Sequence, residues 1–198
     1  MPYCTRVFSG ILERRYNIPI GESESYFVSR VGAPLDSIYN AMLQKNRKPT
    51  NEIDELVDEF FEQMKEDVPI FDDVKPALES LRMHKRIIST NLRQGILDER
   101  VRYHKLENYL DGYFGTNGFK NKEAHVNAII SRYGLDGNAL KDNIILVGDG
   151  PGDMELAKKF SIIGIGRVGT TDTDTLRTAG ALYTINTLLE VETILERL

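Results

Sequence analysis

The chain has 198 residues, 41% hydrophobic and 28% charged, which is an ordinary composition for a globular protein with a sizeable core. Its net charge of −5 and its single cysteine, Cys4, argue against a basic polyanion-binding surface and exclude an internal disulfide and a cysteine-rich zinc site. Because no apolar run reaches the roughly 20 residues that cross a bilayer and no signal-peptide core is seen, the sequence predicts a cytoplasmic protein without a nucleic-acid or membrane partner.

Residues 1–67 show helical periodicity throughout, and we predict that they form a separate helical cap domain. The clearest helix covers residues 53–64, where six apolar residues recur at alternating spacings of three and one: Ile53, Leu56, Val57, Phe60, Phe61 and Met64. The acidic residues between them indicate a solvated face rather than a metal site. A break from Val68 to Phe71 ends this region.

Residues 68–198 alternate short apolar segments with helical periodicity, which predicts a doubly wound α/β core with a parallel sheet. The predicted strands cover residues 86–91, 113–115, 144–147, 162–165 and 181–184. Helices are expected between these strands and at the end of the chain. Gly134 follows one of the predicted helices and suits the left-handed conformation that commonly ends a helix.

The stretch from residue 143 to residue 160 is the most informative part of the chain. A short apolar run ends at Gly148, three further helix-breaking residues follow, and helical spacing then resumes. Asp149 and Asp153 thus lie at the carboxyl end of a buried strand and at the start of a helix, where ligands bind in open α/β sheets. Two carboxylates on a tight turn suit Mg2+. The structural alternative is that Asp153 caps the helix and Asp149 is a turn residue.

Two other polar stretches also follow predicted strands. Ser89, Thr90 and Asn91 end one strand, and Lys122 lies in the segment after the next strand. Because the carboxyl ends of parallel strands share one edge of a sheet, a hydroxyl, an ammonium group and carboxylates can meet there. That combination suits a phosphoryl group, whose oxygens accept hydrogen bonds and whose charge a lysine neutralises.

In this order and spacing, the three stretches resemble the haloacid dehalogenase superfamily, specifically its phosphoglycolate-phosphatase-like hydrolases with a helical cap. The resemblance covers nearly the whole chain and implies a Rossmann-like, three-layer core with a parallel sheet. The resemblance implies that Thr90 and Asn91 bind the phosphoryl oxygens. It implies that Lys122 binds the phosphate and neutralises charge in catalysis, with Lys120 as a less well-spaced alternative. It also implies that Asp149 binds Mg2+ and that Asp153 is a second metal ligand and a catalytic residue.

One motif of the family is missing from the chain. The family's nucleophile lies in an Asp-x-Asp-x-Thr run on a central strand before the cap, whereas this sequence opens at Met1 with the first cap helix. The run from Asp172 to Leu176 comes nearest, but no buried strand precedes it. The missing strand would lie between the first and third predicted strands and would leave two backbone edges unpaired. We therefore expect an N-terminally truncated phosphatase with little or no turnover.

The reaction implied by the resemblance is attack by the missing aspartate on a small phosphomonoester, of the phosphoglycolate or sugar-phosphate type. Water then hydrolyses the resulting aspartyl-phosphate. A catalytically inactive protein that binds a phosphorylated ligand or a partner is an alternative from another class, and a phosphomutase is a third. Neither the substrate nor the oligomeric state is indicated by the cap sequence.

Two further patterns are weaker signals. The run from Gly164 to Gly169 matches a dinucleotide-binding fingerprint after a strand, but too little of the chain follows it to complete such a unit, which disfavours a nucleotide site. His84, His104 and His125 lack the spacing of metal ligands, and each is expected at the surface or as a hydrogen-bonded core residue.

Overall fold

The computed structural model of the chain describes residues 2–30, 33–64, 69–116, 121–135, 140 and 142–198. The chain divides into two compact units, Met1–Pro69 and Ile70–Leu198. In the part of the chain that is described, no helix combines the length and the apolar character needed to cross a membrane.

The described residues of the first unit form helices. These are α1 (Pro2–Tyr16), α2 (Ile20–Ser29), α3 (Leu35–Lys45) and α4 (Ile53–Gln63). Helix α1 packs against α2 and α4, and α3 packs against the same two helices. Phe8 is fully buried, and its ring centroid lies 4.8 Å from that of Phe27 and 4.6 Å from that of Tyr39. Aromatic side chains therefore form much of the core of this unit.

The second unit alternates strands and helices, as the sequence predicts. Its strands are β1 (Ile87–Ser89), β2 (Gly112–Phe114), β3 (Ile145–Gly148), β4 (Ile163–Arg167) and β5 (Tyr183–Ile185). The α-helices among its described residues are α5 (Val74–Ser80), α6 (Gln94–Tyr103), α7 (Lys122–Tyr133), α8 (Pro151–Lys159), α9 (Thr173–Ala179) and α10 (Glu190–Leu195). The predicted α/β fold class, with a helical region before it, is confirmed.

The strand pairs are all parallel, but the strands form two sheets. Strand β1 pairs with β2, while β4 pairs with β3 on one side and β5 on the other. The register places Leu146 opposite Gly164 and Ile165 opposite Tyr183. Within the described residues, β1 and β3 do not pair with each other. The described strands thus form a β1–β2 sheet and a β3–β4–β5 sheet, and the family resemblance implies a further strand between β1 and β3.

Helices α8 and α9 pack closely on the three-stranded sheet. Met154 and Ala157 of α8 and Leu176 of α9 are fully buried. A Cβ atom on Gly164 would lie 3.0 Å from Ala157 Cβ, and one on Gly166 would lie 3.0 Å from Leu176 Cδ1. Glycine at these two positions of β4 lets both helices approach the sheet. This packing accounts for two glycines of the dinucleotide-like run without a nucleotide.

Candidate active site

The two aspartates lie where β3 leads into α8: Asp149 on the connecting turn and Asp153 in the first turn of the helix. Strand β3 ends at Gly148, Gly150 occupies the N-cap position of α8, and Pro151 is the first residue of the helix. Proline suits this position because the first helical N–H has no partner within the helix. Asp149 is exposed on the turn. Asp153 lies in the first turn of α8, where the helix dipole favours a negative charge.

Asp153 forms an ion pair with Lys122. Lys122 Nζ lies 2.6 Å from Asp153 Oδ1, and the two side chains are 26% and 12% exposed. Helix α7 begins at Lys122 because the Asn121 side chain caps it and accepts a hydrogen bond from Ala124 N at 3.0 Å. Asp153 makes no capping hydrogen bond in its own helix, so the structural alternative of an Asp153 cap is wrong. The rival lysine, Lys120, lies outside the described residues.

Gly148 leaves room for the Asp153 side chain. A Cβ atom on Gly148 would lie 2.4 Å from Asp153 Cβ, 2.5 Å from Oδ2 and 2.6 Å from Cγ. A residue with a side chain at this position would therefore displace the carboxylate that pairs with Lys122. The strand end thus combines a packing requirement at Gly148 with an exposed acidic group at Asp149.

A cavity of about 460 Å3 lies beside the ion pair. Residues of β1, β3 and α7 line it, together with Asp153, and they include Ser89, Lys122, Val126 and Val147. Because both β1 and β3 contribute to the lining, the cavity lies in the gap between the two sheets. Val147 is 38% exposed, although its strand has the continuous apolar sequence of a buried one.

Thr90 directly follows β1. Its N–H donates to Phe114 O at 3.0 Å, and its Oγ1 accepts a hydrogen bond from Leu92 N at 3.3 Å. Thr90 and its neighbour Asn91 are half-buried. The hydroxyl oxygen of Thr90 is thus held by the backbone, whereas its hydrogen is left to donate to another group.

Of the predicted site residues, Lys122 and Asp153 are in direct contact and line the cavity. Thr90, Asn91 and Asp149 follow the carboxyl ends of β1 and β3. These three are not among the described residues that line the cavity.

The two aspartates fit a magnesium ion. Among the described residues, no group of three or more His, Cys, Asp or Glu side chains is placed to hold a metal. Asp149 is exposed, and Asp153 retains a second carboxylate oxygen besides the one bound to Lys122. Mg2+ is bound in proteins through one or two carboxylates and completes its shell with waters and phosphate oxygens. The donor set therefore suits this ion.

His125 lies one helical turn after Lys122 and connects two strand ends. Ser89 Oγ lies 2.8 Å from His125 Nδ1, and His125 Nε2 lies 3.0 Å from Gly115 O. The imidazole is fully buried and stacks on the Phe114 ring, with 5.8 Å between the centroids. Burial lowers the pKa of His125; the bond to Gly115 opposes this effect and the Lys122 charge adds to it. His125 is thus a hydrogen-bonded core histidine, but no signal in the sequence indicates its link to Ser89.

A polar cluster around Asp73 is not indicated by any pattern in the sequence. Its carboxylate accepts hydrogen bonds from Leu188 N at 2.8 Å, Thr187 Oγ1 at 2.9 Å and Arg167 Nη2 at 3.2 Å. Burial alone would raise the pKa of Asp73, but these donors together lower it. The Arg167 guanidinium also lies over Phe71, 3.7 Å from the ring centroid. These partners are 94 to 115 residues away from Asp73, so no local pattern predicts them.

Comparison with solved structures places this architecture in a known class. The chain is similar to a predicted phosphatase from Clostridium acetobutylicum, with a TM-score of 0.77, 19% identity, and 98% of this chain and 93% of that chain covered. It is also similar to a predicted phosphoglycolate phosphatase from Haemophilus somnus, with a TM-score of 0.79, 15% identity and coverage of 98% and 90%. A hydrolase from Pseudomonas syringae gives a TM-score of 0.79, 17% identity and coverage of 99% and 92%. At these identities the likeness establishes the fold.

The family itself follows from the sequence match. The family model of haloacid dehalogenase-like hydrolases matches residues 6–166, which is more than half of the chain. The chain therefore belongs to the haloacid dehalogenase-like hydrolase family, and the resemblance drawn from its motifs is confirmed. A search of curated proteins gave no match.

Proposed function

We propose that the chain forms part of a magnesium-dependent phosphatase site for a small phosphomonoester of the phosphoglycolate or sugar-phosphate type. The observation that carries this proposal is the Lys122–Asp153 ion pair, which lies beside a cavity between the two sheets. A lysine ammonium next to an acidic, metal-compatible turn suits a phosphoryl group, since the lysine and the cation together offset its negative charge.

In this proposal, Lys122 and Thr90 bind the phosphoryl oxygens as donors. The Lys122 ammonium has three N–H groups, and Asp153 accepts from one of them, so others are available to an anion. The Thr90 hydroxyl accepts a bond from Leu92 N and keeps its hydrogen for a phosphoryl oxygen. Asn91 supplies a further donor from the adjacent position. Charge-assisted hydrogen bonds are stronger than hydrogen bonds between neutral groups, so Lys122 makes the largest contribution to phosphate affinity.

Asp149 and Asp153 hold Mg2+ in the same proposal. The bound ion offsets the charge of the phosphoryl oxygens and so favours their close approach to the carboxylates. Lys122 has a second role here, because by binding Oδ1 of Asp153 it fixes the direction of Oδ2. Gly148 supports the same arrangement, since only a residue without a side chain leaves Asp153 in place.

The nucleophilic aspartate, in this proposal, lies on a further strand between β1 and β3. The described residues of these strands do not pair with each other, both strands line the cavity, and Val147 is 38% exposed. Unpaired edges in the middle of a sheet are costly, and a parallel strand inserted there would satisfy both. Its carboxyl end would reach the edge of the sheet that carries Asp149. We therefore expect little or no turnover from these 198 residues alone.

Titration calorimetry with inorganic phosphate and Mg2+ tests the binding site. We expect phosphate to bind the 198-residue chain, and the variant Lys122→Met to bind it at least about tenfold more weakly, because a charge-assisted hydrogen bond is lost. Lys159→Met is the matched control: Lys159 pairs with Glu123 at 2.7 Å, on an exposed part of α8. Equal phosphate affinity of the unsubstituted chain and Lys122→Met, or no binding by either, would contradict the proposal.

Phosphate release from p-nitrophenyl phosphate tests the proposed need for a further strand. The 198-residue chain is expected to release little or none, with or without Mg2+. Ready Mg2+-dependent release would show that this expectation is wrong. The intact mass of the native protein from its source cells gives an independent check, since a mass above that of the 198 residues is expected if a strand with the aspartate is present.

The same measurements separate the remaining alternatives. Phosphate binding by a native protein whose mass matches the 198 residues, without turnover, would favour the non-catalytic ligand-binding alternative. Transfer of the phosphoryl group to a sugar hydroxyl rather than to water would favour a phosphomutase. We also propose a cytoplasmic location, because a single cysteine fits a reducing compartment; cell fractionation tests it.

A further inference from the structure

The hydrogen-bonded chain of Ser89, His125 and Gly115 joins three segments around the proposed phosphate site. Ser89 ends β1 and directly precedes Thr90. His125 lies in the first turn of α7, three residues after Lys122. Gly115 follows the end of β2. One buried imidazole therefore contacts both strand ends from the helix whose first residue is Lys122.

The positions of the protons in this chain follow from its ends. The Gly115 carbonyl can only accept, so His125 Nε2 carries a hydrogen and donates it. Burial lowers the pKa of His125, which favours the neutral ring at pH 7, and in the neutral ring with Nε2 protonated Nδ1 is an acceptor. The Ser89 hydroxyl is therefore the donor to Nδ1. The bonds thus run from the Ser89 hydroxyl through the imidazole to the Gly115 carbonyl.

A second set of bonds ties the segment after β1 to the segment after β2. Thr116 N donates to Leu92 O at 2.8 Å, and Gly115 N donates to Gln94 Oε1 at 2.7 Å. A Cβ atom on Gly115 would lie 2.7 Å from Leu92 O, so the two segments are in close contact. A displacement of Gly115 must therefore also move Leu92, whose N–H holds the Thr90 hydroxyl.

We propose that His125 is a positioning residue for phosphate binding, acting through Ser89 and Gly115. It fixes the end of β1, and so the Thr90 hydroxyl, at a set distance from Lys122, because the helix that bears Lys122 also bears the imidazole. A rigid link is needed here since hydrogen bonds to a phosphoryl group weaken steeply when distance or angle changes. The proposal rests on the phosphate site proposed above, and it adds His125 and Ser89 to that site.

Substitutions that remove one bond at a time test the link. Ser89→Ala removes the donor to Nδ1 and leaves the Gly115 bond in place. His125→Gln places an amide near the Nε2 position, so it keeps the Gly115 bond and loses the Ser89 bond. Ser89→Thr retains the hydroxyl. Ser80→Ala is the matched control, because Ser80 makes a bond to Ala77 O at 3.1 Å at the end of α5.

Phosphate affinity is measured by calorimetry in the presence of Mg2+, and urea unfolding checks that each variant is folded. We expect Ser89→Ala and His125→Gln to bind phosphate about three- to tenfold more weakly, as loss of one well-placed hydrogen bond implies. Ser89→Thr should bind phosphate as tightly as the unsubstituted chain, and Ser80→Ala should leave the affinity unchanged. In nitrogen-15 spectra of the imidazole, Ser89→Ala should shift the Nδ1 resonance while Nε2 remains protonated.

The possible outcomes separate the proposed phosphate site from the proposed role of His125. No phosphate binding by the unsubstituted chain, or no effect of Lys122→Met, overturns the proposed function. A normal effect of Lys122→Met together with unchanged phosphate affinity in a folded Ser89→Ala overturns only the role of His125. Loss of affinity that Ser89→Thr does not restore also overturns it, because the hydroxyl would then not be the group that matters. If His125→Gln does not fold, the two Ser89 variants still test whether His125 acts as a positioning residue.

Discussion

The two sheets of the second unit differ in how deeply their strands are buried and in how their strand ends are connected to the helices. In the three-stranded sheet, Ile165 and Ile185 are buried, and Met154 and Leu176 are fully buried against it. In the two-stranded sheet, every strand residue is only half-buried. Ile88 and Tyr113 of this sheet pack against a buried cluster of Leu97, Val101 and Leu106. Its strand ends are in addition connected to α7 by hydrogen bonds through His125.

This difference divides the proposed site into two halves. Apolar packing around β4 supports the turn that carries Asp149 and the start of α8 that carries Asp153, and dense packing resists changes in volume. Hydrogen bonds around β1 orient Thr90 relative to Lys122, and such bonds depend on distance and angle. We therefore expect substitutions in the three-stranded part to change stability first, and substitutions around β1 to change phosphate binding first.

Ile165→Ala gives the largest expected effect and tests the first half of this comparison. Ile165 is fully buried in β4, so its truncation removes apolar contacts and leaves a cavity. We expect a loss of about 2–5 kcal/mol in the free energy of unfolding, measured in urea. Leu182→Ala is the control, since Leu182 is 61% exposed and its truncation should change stability by less than about 0.5 kcal/mol. Similar losses from the two variants would contradict the comparison.

Gly148 lies where the two halves of the proposed site meet, so Gly148→Ala should affect both stability and ligand binding. The added Cβ atom would lie 2.4 to 2.6 Å from three atoms of Asp153, so the carboxylate must move away from Lys122. We expect a cost of about 1–3 kcal/mol from overpacking, together with weaker binding of Mg2+ and phosphate in calorimetry.

Gly152→Ala is the matched control for Gly148→Ala. A Cβ atom on Gly152 meets no heavy atom within 4 Å, and the residue lies in α8. Alanine is the better helix former by about 0.5–1 kcal/mol, so this variant should be as stable as the original chain or more so. Unchanged ligand affinity in Gly148→Ala would show that the Asp153 position is not needed for binding.

The sequence predicts the fold well because local patterns determine most of its elements. Glycine and proline around Asp149 mark the end of β3 and the start of α8, and Gly134 ends α7 in the left-handed conformation with φ of 62°. Strand β4 is less well predicted: it extends to Arg167, beyond the predicted end at residue 165. Its two glycines, Gly164 and Gly166, weaken the strand pattern, although they are needed for helix packing.

The site is only partly predictable for a physical reason. The rule that parallel strands end at one edge of a sheet predicts that Lys122, Thr90 and the aspartates lie in the same region. It does not determine which side chains touch, and the Lys122–Asp153 contact depends on how α7 and α8 pack. The bond between Ser89 and His125 joins residues 36 apart, and a lone buried histidine gives no pattern by which to find it.

The pH dependence of stability gives the smallest expected effect and isolates the hydrogen-bonded half. Burial lowers the pKa of His125 below its ordinary value of 6.5. Below about pH 6.5 the unfolded chain therefore binds a proton at this residue that the folded chain does not bind, so stability falls as the pH decreases. For one proton the slope cannot exceed about 1.4 kcal/mol per pH unit. About one pH unit or more above 6.5, this residue contributes almost no slope.

The variant His125→Gln separates the contribution of His125 to the pH dependence of stability from the contributions of the acidic groups. The N–H of Arg86 lowers the pKa of Asp111, and the N–H of Thr175 lowers that of Asp172, so their contributions are present above about pH 3.8 and are lost only as the pH falls through lower values. Urea unfolding at pH 7.5 and pH 5.5 should therefore show a loss of stability in the original chain that is absent in His125→Gln. An equal loss of stability in both chains would mean that the buried imidazole is not the group that titrates. It would also contradict the neutral imidazole assigned to the Ser89–His125 hydrogen bond.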